Sequence, residues 1–378
     1  MQINLKNIAN YLIVLMPAFL ISGPFLSDLS IVLIDLIFVY YLFKDKNFKY
    51  IDNLLFKILI IYTFYISLRS IFADEIFLSL KSSLFYFRFV FLIFAINFFL
   101  NENKELISNF SKGILITIIV LFVDAIFQFI VGINFLGFEI ENPDKLNGLF
   151  GDEGVLGSYL IRFFPLLLAC YIYLFEKKNK YLFMFLFLCV SGLIFLSGSR
   201  SSLALLFLFC FLFFLFFINY RKEILVSILV LITLVSTVII KDNLITAFKT
   251  EHVSNFEFKS KIGYRIYYNL FDPIKTIFND GNKEKLKTSE STEVNNLIIF
   301  TNVYQAHYET AFKMYKENKL FGVGNKMFRE LCSDKKYFVN EFSCSTHPHN
   351  FYIQILAENG LIGFIFLILF FIFLLFKL

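Results

Sequence analysis

Two histidines packed into three positions, in Cys344-Ser345-Thr346-His347-Pro348-His349-Asn350, are the residues of this chain best suited to moving a proton. The chain has only four histidines, and this pair sits at the lip of a long hydrophobic stretch. Pro348 suits the first turn of a helix, which predicts a helix opening there with Thr346 or His347 as its cap. His349 and Asn350 then fall in the first turn. The positive end of a helix disfavours imidazolium, so His349 stays neutral and able to act as a general base. Asn350, Gln354 and Glu358 follow at four-residue spacing. They form a polar stripe that faces a protein interior or a wet cleft rather than lipid. The plainer reading of the same segment is a cap whose polar groups satisfy one another.

A second constellation is Ser197-Gly198-Ser199-Arg200-Ser201-Ser202, a tight turn between two hydrophobic runs. An arginine beside the free N–H groups that open a helix makes an anion site. The competing reading is an interfacial arginine snorkelling to lipid headgroups. A third runs from Gly148 to Leu160, with four glycines around Asp152 and Glu153 and with Arg162 about one turn beyond. Glycines at this density indicate backbone in unusual dihedrals or close approach. Arg162 is expected to face protein, either paired with Asp152 or Glu153 or holding a substrate. Arg88 and Asp124 are further charges inside hydrophobic runs and could pair. Cys332 and Cys344 are spaced to allow a disulfide, which would tether the histidine segment; their separation in space cannot be read from sequence. Together with His347 and His349 they have zinc-ligand chemistry, but a His-x-His run is not a usual structural spacing, and no metal is expected. Cys170, Cys189 and Cys210 lie in hydrophobic runs as packing residues.

The elements that must carry these groups are membrane helices. Hydrophobic residues are 58% of the 378, charged residues 17%, and mean hydropathy is +0.70. A soluble chain of this size could not hide that much apolar surface. Phe numbers 55 and Trp is absent, which reads as compositional bias. About ten segments approach the ~20-residue spanning length, near 8–26, 29–43, 54–72, 84–100, 113–131, 155–175, 181–197, 202–219, 224–240 and 351–376. The expected fold is an all-α polytopic membrane protein with nine spans over 1–240, one large extracytoplasmic loop over 241–350, and a last span in 351–378. The first segment lacks a small-residue cleavage site and is a span rather than a removed signal.

Basic residues of the short loops set the orientation. Lys44, Lys46, Lys49, Lys104, Lys112, Lys177, Lys178, Lys180, Arg221 and Lys222 fall on one side, which places the N-terminus in the cytoplasm. Asp28, Asp74, Glu75, Glu139, Glu141, Asp144, Asp152 and Glu153 fall on the other. The net charge of +5 is largely this topology signal, and no basic-aromatic pattern argues for nucleic acid. Within the loop, 278–293 reads as flexible. Residues 304–319 read as a surface helix with Ala311, Phe312, Tyr315 and Leu320 near one face, and Phe321-Gly322-Val323-Gly324 as a glycine-permitted turn.

Taken together, these pieces resemble the O-antigen ligase family, which includes related O-antigen polymerases. The resemblance rests on Ser-Gly-Ser-Arg-Ser-Ser (197–202), Phe-Gly-Val-Gly (321–324) and His-Asn-Phe-Tyr-Ile-Gln-Ile-Leu-Ala-Glu-Asn-Gly-Leu-Ile-Gly (349–363), with Gly-Leu-Phe-Gly-Asp-Glu (148–153) and Gly-Ser-Tyr-Leu (157–160) ahead of them. It spans roughly 145–375. It implies transfer of a glycan from undecaprenyl diphosphate to an acceptor hydroxyl, on lipid A-core or a similar acceptor, at the periplasmic face of a bacterial inner membrane, without cofactor or metal. It further implies that Arg200 binds the diphosphate, that His349 activates the acceptor, and that displacement inverts the anomeric carbon. Members often carry a second arginine on the helix before Gly-x-Gly. Here Tyr304 and His307 occupy that neighbourhood, so Arg265 or Arg162 is expected to supply the cation. Asn350, Glu358, His307 and Asp152 complete the expected substrate-binding set. Many members continue through further helices beyond the point where this chain ends, so the chain is either a short member or truncated. Polymerisation of repeat units and transfer to protein remain open within the family. A transporter of lipid-linked sugar is the alternative of another class; it expects charge near mid-bilayer, whereas these groups gather at the ends of spans. A structural envelope partner leaves Arg200 and His349 unexplained.

Overall fold

The computed structural model describes residues 4–140, 145–151, 153–175, 180–233 and 302–377. Arg265, Asp152, the 278–293 stretch and most of the expected loop lie outside the described residues. Among the described residues the chain is helical, with an isolated bridge between Ile133 and Glu139 and no strand. The helices are α1 (Leu5–Phe19), α2 (Pro24–Lys44), α3 (Leu54–Ser70), α4 (Ile76–Leu84), α5 (Phe87–Glu102), α6 (Leu106–Val131), α7 (Leu156–Phe175), α8 (Lys180–Leu196), α9 (Arg200–Phe216), α10 (Ile218–Thr233), α11 (Asn302–Glu317), α12 (Met327–Leu331) and α13 (Phe351–Lys377).

The protein is a multi-pass membrane protein. Among the described residues, five stretches are long and apolar enough to cross a bilayer: Pro24–Lys44, Ile76–Glu102, Leu106–Val131, Leu156–Leu174 and Phe351–Phe376. A sixth arises if α9 and α10, bent by 111° at their junction, form one broken span. The other apolar helices, α1, α3 and α8, have 15, 17 and 17 residues, short of the ~20 that a perpendicular span needs. Two sequence boundaries move for local reasons. Gly23 turns the chain at φ +106° and Pro24 opens α2, so the first expected span divides earlier and the second is a full 21 residues. The fourth begins at Ile76, with Phe85 and Tyr86 as a short break between α4 and α5.

The chain forms two compact units. One comprises residues 10–30 and 103–287, and the other 1–9, 31–102 and 288–378. The first is built on a dense aromatic core in which Phe164, Phe183, Phe187 and Phe213 are buried and Phe164 meets Phe187 at 5.4 Å between ring centres. Its polar anchors come from α6. Asp124 accepts the Phe135 N–H (2.9 Å), and Gln128 accepts that of Gly148 (2.8 Å). Asp124 thus holds a loop through its Oδ1. Asn134 donates to the Gly148 carbonyl at 2.7 Å, closing the same loop from the other side.

The second unit is organised by a break in α13. Gly360 adopts φ +64°, ψ −168°, a conformation open only to glycine. The segment 319–324 lies along the broken turn. Val323 N–H donates to Ala357 O (2.9 Å) and Gly324 N–H to Glu358 O (2.8 Å), while Leu361 N–H donates to Lys319 O (2.8 Å). A Cβ on either Gly322 or Gly360 would press into the opposing backbone. Arg69 of α3 donates from Nε to the carbonyl of Gly322 at 3.0 Å, and Tyr65 donates to that of Asn359 at 2.7 Å. The backbone groups freed by the break are therefore satisfied from a neighbouring segment, as an interior setting requires.

Candidate functional site

The helix after the histidine segment begins at Phe351, three residues later than Pro348 suggests. Asn350 is its cap: its side-chain oxygen accepts the N–H groups of Tyr352 (3.0 Å) and Ile353 (3.2 Å). His349 precedes the cap and stands in the left-handed region at φ +57°. It is therefore outside the first turn, and its protonation is governed by side chains rather than by a helix end. Asparagine is a better cap than threonine or histidine because its short carbonyl arm reaches two backbone donors.

His307 on α11 is the group that sequence reasoning undervalued. Its ring is buried and stacks on His349 at 5.2 Å between centres, while His347 lies 4.3 Å from His349. Tyr304 sits edge-on to His349 at 5.5 Å. Three of the four histidines thus form one cluster. The signal in the sequence was positional: His307 lies three residues after Tyr304, on the face of α11 that also buries Ala306, Thr310, Ala311 and Met314. That face packs on α13. The surface-helix reading shares Ala311 with that face, but two of its other residues, Phe312 and Leu320, are exposed.

The cluster is electrostatically tuned. His349 keeps an exposed surface, but partial desolvation of its ring, then the charges of His347 and His307, push its proton affinity below the ordinary 6.5. Burial, then His347, does the same for His307. Crowded imidazoles resist sharing two positive charges, so the neutral ring dominates near pH 7. Ser345 Oγ stands 3.1 Å from His349 Nε2, and Thr346 Oγ1 stands 2.9 Å from His347 Nδ1. A neutral His349 in this setting can accept a proton from a hydroxyl, Ser345's own or one that displaces it.

The rest of the segment is tied down. Cys332 and Cys344 are bonded, with Cα atoms 5.1 Å apart. The bond joins the end of α12 to the residue before Ser345 and removes two of the four candidate zinc ligands. No group of three or more metal-ligating side chains among the described residues is arranged to hold an ion. Glu358 is 4% exposed and accepts Phe328 N–H (3.3 Å) and the Gln354 amide (3.1 Å). Its carboxyl group holds the first turn of α12.

Arg200 is the first residue of α9, after Ser199, whose hydroxyl caps the Ser202 N–H and lies 2.8 Å from Ser202 Oγ. Gly198 turns the chain at φ +70°, and Gly157 leaves the room that Ser197 occupies. Arg200 thus opens a helix whose first N–H groups favour an anion. Arg162 is exposed on α7, and no ion pair joins it to Glu153 among the described residues. A single turn of helix beyond the glycine-rich loop does not carry it into the protein interior.

A sequence model described as O-Antigen ligase matches residues 183–368, which include Arg200, the α11 histidine, the Gly322–Gly360 interlock and the His347–Asn350 segment. No curated protein and no solved structure matches the chain. Through residues 183–368, the chain belongs to the O-antigen ligase family.

Proposed function

We propose that this protein transfers a glycan from an undecaprenyl-diphosphate-linked donor to an acceptor hydroxyl, such as one on lipid A-core, at the periplasmic face of the bacterial inner membrane. The observation that carries the reading is His349, held in a left-handed backbone position with its ring against His307 and His347, whose crowding and partial desolvation disfavour the protonated ring. It removes the acceptor proton as the hydroxyl oxygen forms its bond to the anomeric carbon. The donor's bond to diphosphate breaks at the same carbon, which inverts it. Arg200 binds the departing diphosphate; a guanidinium remains charged and matches phosphate oxygens in pairs. Asn350 lies at the site as the cap that fixes where His349 stands. The groups supply positioning and charge stabilisation, which suffice for group transfer of this kind.

The test is a strain lacking its own ligase, complemented with the wild-type chain, with His349→Ala or with Arg200→Ala. Both variants are expected to insert normally and to leave surface polysaccharide gels without long-chain glycan. Wild-type product from both would overturn the assignment. Purified enzyme offered lipid A-core, repeat-unit donor or acceptor protein in separate reactions distinguishes ligation from polymerisation and protein transfer. Each acceptor presents a hydroxyl, so only the cleft selects among them.

A further inference from the structure

A cavity of about 750 Å³ lies between the end of α3 and the turn after α11, and it shares no residue with the histidine cluster. Its cations are Arg69, Lys316 and Lys319, and its apolar wall is Leu68, Phe72, Leu320 and Phe321. We infer that this cavity is a binding site for the phosphate headgroup of an anionic lipid, independent of the transfer reaction.

Charge supports the assignment. Arg69 is anchored by the Phe321 and Gly322 carbonyls through Nε and one terminal nitrogen, which fixes the plane of its guanidinium at the cavity wall. Lys316 and Lys319 have no carboxylate within ion-pair distance among the described residues. The one acid of the wall, Glu317, is engaged by the Tyr337 hydroxyl at 2.8 Å and by Lys336 at 3.4 Å. Three cations against one answered carboxylate select an anion.

Shape and exposure point to an amphiphile. The volume far exceeds a bare phosphate and falls in the range of sites that enclose larger organic ligands. Phe72 is 75% exposed, and Leu320 and Phe321 are 55% and 52% exposed, so the rim offers apolar surface where a chain would leave the cavity. Large apolar side chains beside snorkelling lysines at a helix end match the chemistry of the lipid interface.

Native mass spectrometry of the full chain in detergent tests this. Phosphatidylglycerol, phosphatidylcholine and inorganic phosphate are titrated separately onto the wild type, onto K316Q/K319Q and onto K316R/K319R. Phosphatidylglycerol is expected to bind in preference to phosphatidylcholine, and inorganic phosphate not to compete at equal concentration. At about 1 kcal/mol for each basic residue near a lipid surface, the glutamine pair weakens phosphatidylglycerol roughly ten- to thirty-fold, while the arginine pair retains it. Equal binding of both lipids, an unchanged glutamine pair, or an arginine pair as weak as the glutamine pair overturns the site. Competition by inorganic phosphate at equal concentration overturns the lipid and leaves a soluble anion in its place.

Discussion

Arg200 and His349 both stand at the opening of an apolar helix, yet the protein places them by different means. Arg200 depends on its own neighbourhood: Gly198 turns, Ser199 caps, and the first residue of α9 follows. His349 depends on distant residues. Its backbone is held outside the helix by Asn350, its ring is stacked by His307 of α11, and its segment is tied to α12 through Cys332. Further along α13, the break at Gly360 is held by Tyr65 and Arg69 of α3. A locally built position tolerates change elsewhere in the chain, whereas one assembled from several segments fails when any of them moves.

The largest effect is expected at the interlock. Gly360→Ala introduces a Cβ at φ +64° against the Leu320–Gly322 backbone, which combines conformational strain with overpacking at a cost of about 3–5 kcal/mol. Gly23→Ala is the control, because its φ of +106° is also positive but nothing lies within 4 Å; strain alone costs about 1–2 kcal/mol. Thermal unfolding in detergent separates the two, and equal losses would remove the interlock from the account. Next comes His349→Ala, expected to reduce transfer about 10²–10⁴-fold, the usual contribution of a positioned base, without loss of folded protein. Initial rates with purified donor measure it.

Much of the local construction was legible from the chain itself. The Ser197–Arg200 turn follows from hydroxyl and glycine chemistry over six residues, and a helix in the region of α11 follows from its pattern. The cap was expected at Thr346 or His347, three or four positions before Asn350, because proline at a helix start is a preference, while the reach of Asn350 to two backbone donors is a geometric fact of the fold. The burial of His307 depends on packing between α11 and α13, which no local spacing encodes. The first span shortened while the second and fourth lengthened, since hydropathy registers apolar content but not where Gly23 and Pro24 turn the chain.

The comparison sharpens with smaller changes. Cys332→Ser opens the Cys332–Cys344 loop that leads into the histidine segment, and loop entropy of this length is worth about 3 kcal/mol. The variant is expected to melt earlier and to lose activity, and the reductant-treated wild type should behave alike. Ser199→Ala, in contrast, removes only a cap and costs about 1 kcal/mol, with no change in the pH dependence of transfer.

The smallest shift is also the most specific. Burial and the neighbouring imidazoles lower the pKa of His349 below 6.5, so the unfolded chain binds a proton that the folded segment resists. The stability of the segment is therefore present above about pH 6.5, the ordinary value, and declines as pH falls through it. For catalysis the same depression keeps the base neutral further into acid. The acid limb of kcat/KM should therefore lie below 6.5 in the wild type. His307→Ala removes one of the charges and part of the burial, so the limb should move upward toward 6.5 while the alkaline side stays fixed. An unmoved limb would mean that His307 only fills space beside His349, and the cluster would then be as locally determined as the Arg200 turn.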